Sequence, residues 1–153
     1  MRSASPTIPT LFSKTLSRLP PYPGSVIFVT GLNLLLVRHL PADTLQALKG
    51  RSLRIHVTDA GIAVDFTYDQ NTFRAARWRD DTDLTIAASA HDFICLLQRE
   101  EDPDTLFFSR RLVMEGDTEL GLMVKNTLDA LDFSEMPVRR LMPVLATLRH
   151  VLR

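Results

Sequence analysis

Side chains able to do chemistry are few in this chain and stand far apart. The four histidines, His39, His56, His91 and His150, follow no H-x-x-x-H spacing, and a single cysteine excludes C-x-x-C, so the usual ligand set of a metal site is missing. Cys95 lies in an apolar helical run with no basic neighbour close by in sequence, which predicts an inert core thiol rather than a nucleophile. Asp80, Asp81 and Asp83 have the chemistry to hold a hard cation, yet three acids around a hairpin make an ordinary solvated turn. His56 alternates outward on a strand and reads as surface. The sequence has no G-x-S-x-G, no G-x-x-x-x-G-K and no G-x-G-x-x-G. Lacking base, nucleophile, metal and cofactor loop, the chain predicts no catalytic residue, no metal and no cofactor.

Arg110-Arg111 is the pair that stands out. Read as part of a strand, adjacent arginines point to opposite faces, so at most one of them faces a cavity mouth. One reading is contact with a phosphate or an anionic head group; the other is a salt bridge with Glu100, Glu101 or Asp104. Both stay open.

The elements around that pair are legible. Asp102-Pro103-Asp104-Thr105 supplies a turn and an N-terminal cap, and Leu106-Phe107-Phe108 follows it. Leu112-Val113-Met114-Glu115 reads as a short strand, and Gly116 permits the turn before Asp117 or Thr118 caps a helix. That helix sets Leu120, Val124, Leu128 and Leu131 on one face. Leu122 and Met123 fall off this stripe, which predicts that they face a second dry space.

Upstream, residues 1–9 read as disordered and Thr10–Leu19 as a short helix, ended by a stiff elbow at Pro20-Pro21-Tyr22-Pro23-Gly24. Ser25 then caps a helix running to His39, with Ile27, Phe28, Leu32, Leu35 and Leu36 inside. Pro41-Ala42-Asp43 starts another that stops at Gly50. Alternation predicts strands at Leu53–Val57, Ile62–Tyr68, Thr72–Trp78 and Asp83–Ala87, with turns at Asp59-Ala60-Gly61, Asp69-Gln70-Asn71 and Asp80-Asp81. Ser89 and Asp92 resemble a capping box opening a helix through Phe93, Ile94, Leu96 and Leu97. A last helix from Ser134 carries Val138, Leu141, Met142, Leu145, Leu148 and Leu152 on one face, with Pro143 breaking or kinking it.

The 153 residues balance 18 Lys/Arg against 18 Asp/Glu, but unevenly. Residues 1–38 and 136–153 contain eight Lys/Arg and no acid, leaving 10 Lys/Arg against 18 Asp/Glu between them. Basic ends suit an anionic membrane surface or an acidic partner, or pack on the acidic body. Nucleic acid is disfavoured because the sheet region is acidic. The lone Cys95 fits a reducing cytoplasm, the first ten residues hold no apolar signal core, and the unbroken apolar run 25–37 is shorter than the roughly 20 residues a bilayer needs.

DPDTLFF, RRLV, EGDTELGL and VKN, in that order over residues 102–126, carry a resemblance. The chain resembles the UbiT family of bacterial ubiquinone biosynthesis accessory factors, within the wider sterol carrier protein type 2 (SCP2) group of lipid-binding domains. The likeness is densest over 102–126 and extends through roughly 51–101. It implies an α+β fold: a twisted, mostly antiparallel sheet of about five strands, covered on one face by helices, with a hydrophobic tunnel between. It also implies a helical wall from residues 90–98, 104–109 and 118–131. The expected organisation is an arm over 1–24 and an SCP2-like domain over 25–153 ending in a basic amphipathic helix. The implied function is non-catalytic binding of an isoprenoid quinone precursor for oxygen-independent ubiquinone biosynthesis, beside UbiU and UbiV-type proteins. Candidate cavity residues are Phe28, Leu32, Phe93, Leu96, Leu97, Phe107, Phe108, Met114, Leu122 and Met123, with Arg110 and Arg111 as head-group candidates. The expected location is cytoplasmic, peripheral on the inner membrane. A second hypothesis is a peripheral membrane phospholipid-binding or lipid-transfer module, with the end helices docking on membrane or pairing two subunits as a homodimer; a third is an enzyme.

Overall fold

The computed structural model describes residues 21–132, with side chains from Ser25 onward, and positions 143, 146, 147 and 150. The expectations for residues 1–9, for a helix at 10–19 and for the last helix lie outside these, except that Pro143, Ala146, Thr147 and His150 have helical backbone.

Among the described residues the element order is α1 (Pro21–Leu35), α2 (Ala42–Leu48), β1 (Ser52–Val57), β2 (Ile62–Asp69), β3 (Thr72–Ala75), β4 (Leu84–Ala88), α3 (Ala90–Leu97), α4 (Pro103–Phe108), β5 (Val113–Gly116) and α5 (Thr118–Ala130). The strands form one sheet in the order β3-β2-β1-β4-β5. Neighbours are antiparallel except β1 and β4, which run parallel with Ile55 opposite Ile86. This is the expected α+β architecture.

Strand alternation decides which side is covered. Leu53, Val64, Phe66, Tyr68, Phe73, Leu84, Ile86 and Ala88 point to one face and join Val29, Leu48, Leu96, Leu106 and Leu120 from the helices in a single core. The opposite face carries Arg54 and Asp65, a cross-strand pair with Nε–Oδ1 at 2.6 Å and Nη2–Oδ2 at 2.8 Å. Asp65 is buried even there, because the segment after β3 crosses it and the Trp78 ring stacks 3.6 Å from the Arg54 guanidinium. Burying both charges is tolerable only as a bidentate, further bonded pair, and the Arg79 N–H supplies Asp65 with a third donor.

Several boundaries differ from the sequence expectation. Helix α1 begins at Pro21, so 21–24 form its first turn rather than an elbow. Proline fits there because first-turn N–H groups have no intrahelical acceptor. Ser25 therefore does not cap the helix and is buried inside it; α1 also stops at Leu35, with turns up to Leu40. Strand β3 ends at Ala75 instead of Trp78, because Trp78 and Arg79 leave the ladder to cover the Arg54–Asp65 pair. Arg110 and Arg111 precede β5 in a turn with Arg110 at φ +61°, so the two-faced strand geometry does not apply to them.

Other local expectations hold. Gln70 and Asn71 both have positive φ between β2 and β3, the geometry of a tight two-residue hairpin. The Ser89 side chain accepts the Asp92 N–H, Asp102 accepts that of Thr105, and Asp117 accepts that of Leu120.

Candidate functional site

An apolar pocket of about 110 Å³ lies between the covered sheet face and the helices. Phe28 and Leu32 of α1, Leu48 of α2, and Val124 and Leu128 of α5 wall it, over a floor of Leu53, Ile55, Phe66, Leu84 and Ile86. Two hydroxyls reach it, Thr44 and Thr127, and they bond each other at 2.8 Å. One hydroxyl donates and the other accepts, so the pair leaves the pocket at most one hydroxyl proton and no charged group. Such a lining suits hydrocarbon better than a polar group.

Helix α1 is its lid and is clipped in place. Asn33 donates Nδ2–H to the Phe73 carbonyl at 2.9 Å and accepts the Phe73 N–H at 2.7 Å, so one side chain satisfies both backbone groups on the β3 edge. Phe28 meets Phe66 at 5.7 Å between ring centroids, and Phe66 meets Phe73 at 5.8 Å.

A second pocket, about 160 Å³, opens on the other side of α5. Phe107, Met114, Gly121, Leu122 and Lys125 line it, and Leu84 is common to both pockets. Lys125 is nearly buried and pairs with the half-exposed Asp104, its Nζ 5.5 Å from the Phe107 ring centroid.

The proposed cavity residues thus divide. Phe28 and Leu32 line the inner pocket; Phe107, Met114 and Leu122 line the second. Leu96 is core, Phe93 packs against it, and Leu97 packs with Leu131. Phe108 and Met123 are exposed, and Leu122 is also half open to solvent. The inner wall comes from α1, α2 and α5, where 90–98 and 104–109 were expected beside 118–131. Val124, Thr127 and Leu128 were missed as pocket residues. For Val124 and Leu128 the signal was present: both belong to the stripe that predicts packing on the sheet, whose other members Leu120 and Leu131 are core.

Arg111 donates through Nε to Asp92 Oδ1 at 3.0 Å and through Nη1 to Glu101 Oε1 at 2.7 Å. Hydrogen bonding to Glu101 first, then to Asp92, pushes its pKa above the ordinary guanidinium value. Arg110 is exposed. Cys95 does have a basic neighbour, one helical turn away: His91 Nε2 lies 3.4 Å from Sγ. The sequence reading overlooked this i, i+4 pair, and the thiol is nonetheless buried. Asp83 serves the backbone, accepting the Ser52 N–H at 2.7 Å. Among the described residues no three His, Cys, Asp or Glu side chains cluster to hold a metal ion, and no helix is long and apolar enough to cross a membrane.

The chain is similar to known proteins. The ubiquinone biosynthesis accessory factor UbiT of Escherichia coli K12 is 46% identical over 93 residues, 61% of this chain and 53% of that protein. UbiT of E. coli O157:H7 matches to the same extent, so the chain spans about half the length of these curated relatives. The solved structure of the UbiJ-SCP2 ubiquinone synthesis protein superposes with a TM-score of 0.56 at 24% identity, covering 72% of this chain and 97% of that one. Residues 32–129, from the last turn of the lid helix to the end of α5, match the SCP-2 sterol transfer family, and the chain belongs to that family.

Proposed function

We propose that the protein is a non-catalytic lipid-binding accessory factor that holds an isoprenoid quinone precursor for oxygen-independent ubiquinone biosynthesis. The observation that carries this reading is the inner pocket, lined by apolar side chains and by two hydroxyls that bond each other. A lining without a charged group or a base is poorly equipped for chemistry, and affinity there comes from burying hydrocarbon, about 0.8 kcal/mol per methylene. Similarity to UbiT supports the pathway. Partners on this reading are UbiU and UbiV-type proteins, which would carry out the hydroxylation, and an anionic inner-membrane surface from which the lipid is lifted. Homodimerisation is compatible with it.

The pocket of about 110 Å³ is well below the roughly 300 Å³ of the smallest common ligand sites, so a prenyl chain enters only if the lid helix shifts. Organic extraction and native mass spectrometry of the purified full chain test the proposal. A co-purifying polyprenylated phenol or quinone is the expected result. A phospholipid instead would favour the lipid-transfer reading, and turnover of a quinone precursor by the protein alone would overturn the non-catalytic one.

A further inference from the structure

The inner pocket has no cationic group for an anionic head, and its Thr44–Thr127 pair leaves at most one hydroxyl proton, so an anionic amphipath seated there is better served with its head elsewhere. The second pocket is the adjoining space. Leu84, only 1% exposed, is in the wall of both, so the two pockets meet at that side chain. Across from it stands Gly121, where an added Cβ would lie 3.4 Å from Leu84 Cδ1 and 3.8 Å from Met114 Sδ. With glycine there, helix α5 presents bare backbone to two flexible side chains, and movement of the Leu84 side chain is the route that would join the pockets.

The second pocket is built differently from the first. Its volume of about 160 Å³ is close to that of a cavity that accepts one benzene ring, roughly 150 Å³. Its wall carries a cation, Lys125, whose side chain is 90% buried and whose Nζ lies 5.5 and 5.9 Å from the rings of Phe107 and Phe108. An ammonium has three donors, and Asp104 is its carboxylate partner among the described residues. Asp117, also on the wall, is held by the Leu120 N–H at 3.0 Å and by Arg51 at 3.5 Å.

We infer that this second pocket receives the ring-sized or carboxylate head of an anionic amphipath, with Lys125 as the residue that reads its oxygen and the tail passing Leu84 into the inner pocket. This rests on the lipid-binding reading. A purely structural Lys125, present to fasten α4 to α5 through Asp104, makes the opposite forecast for one variant. If the pair only fastens helices, Asp104→Asn weakens the protein and gains nothing. If Lys125 reads the head, Asp104→Asn frees it and strengthens anion binding.

The test measures binding of cis-parinaric acid and of its uncharged methyl ester to the full chain by fluorescence. The wild type should prefer the acid on the order of tenfold, as a charge-assisted hydrogen bond in a partly dry site contributes. Lys125→Met should remove that preference and keep ester affinity, while Asp104→Asn should raise acid affinity. Equal binding of acid and ester by the wild type, or a preference surviving in Lys125→Met, overturns the inference and leaves the lipid reading standing. Binding of neither probe overturns both. Should Lys125→Met fail to fold, Asp104→Asn decides: tighter acid binding supports the assignment, and unchanged or weaker binding overturns it.

Discussion

Gly116 and Asp83 touch backbone to backbone across the edge of the sheet: a Cβ on Gly116 would fall 2.2 Å from the Asp83 carbonyl oxygen. The same oxygen accepts the Asp117 N–H at 2.8 Å, which fixes the start of α5 against the start of β4. Gly116 also has φ +116°, a conformation that L side chains rarely adopt. Gly116→Ala should therefore destabilise the fold by about 3 kcal/mol or more, through clash and strain together. Denaturant unfolding checks this, and a loss below about 1 kcal/mol would mean that the turn relaxes freely.

The adjacent arginines should behave differently. Arg111→Met leaves the buried Asp92 carboxylate without its main partner and should cost about 2 kcal/mol. Arg110→Ala removes an exposed side chain and should change stability by no more than about 0.5 kcal/mol. A head-group role for Arg110 would show instead as weaker binding to anionic vesicles at unchanged melting temperature.

Neighbours on α5 separate pocket from surface. Val124→Phe fills the inner pocket and should lower lipid affinity on the order of tenfold while the fold survives. Met123→Asp places a charge at an exposed position outside both pockets, so folding and lipid affinity should stay as they are. Melting curves beside fluorescent-lipid displacement distinguish the two. Loss of binding in Met123→Asp would move the site to the outer face of α5.

Asp102 gives one contribution a pH dependence of known sign. Its carboxylate accepts the Thr105 N–H at 2.6 Å, which holds its pKa below the ordinary 3.8. A depressed carboxylate stabilises the fold above the unfolded value, and the contribution is lost as pH falls through the folded one. Asp102→Asn still accepts that hydrogen bond but cannot titrate. The melting difference between wild type and Asp102→Asn should therefore shrink on going from about pH 7 to about pH 3. A difference that does not change with pH would remove the carboxylate charge from the account.

The sequence by itself determined what depends on neighbours along the chain. Period-two alternation at Leu53–Val57 and Ile62–Tyr68 set the strands and their covered face, because successive side chains point to opposite sides. Ser89, Asp102 and Asp117 announced their caps, since a capping side chain serves an N–H only three residues on. The motifs over 102–126 pointed to the family. Tertiary structure alone decided where an apolar side chain ends up, because core, pocket wall and exposed patch demand the same residue types. Met123 reads as facing a dry space and is in the open, Leu122 lines the second pocket yet is half exposed, and Val124 and Leu128 read as packing and wall the inner pocket. Arg111 found Asp92 nineteen positions away, and Thr44 found Thr127 across 83. Such partners meet only when the sheet and helices close on one another, so no local spacing encodes them.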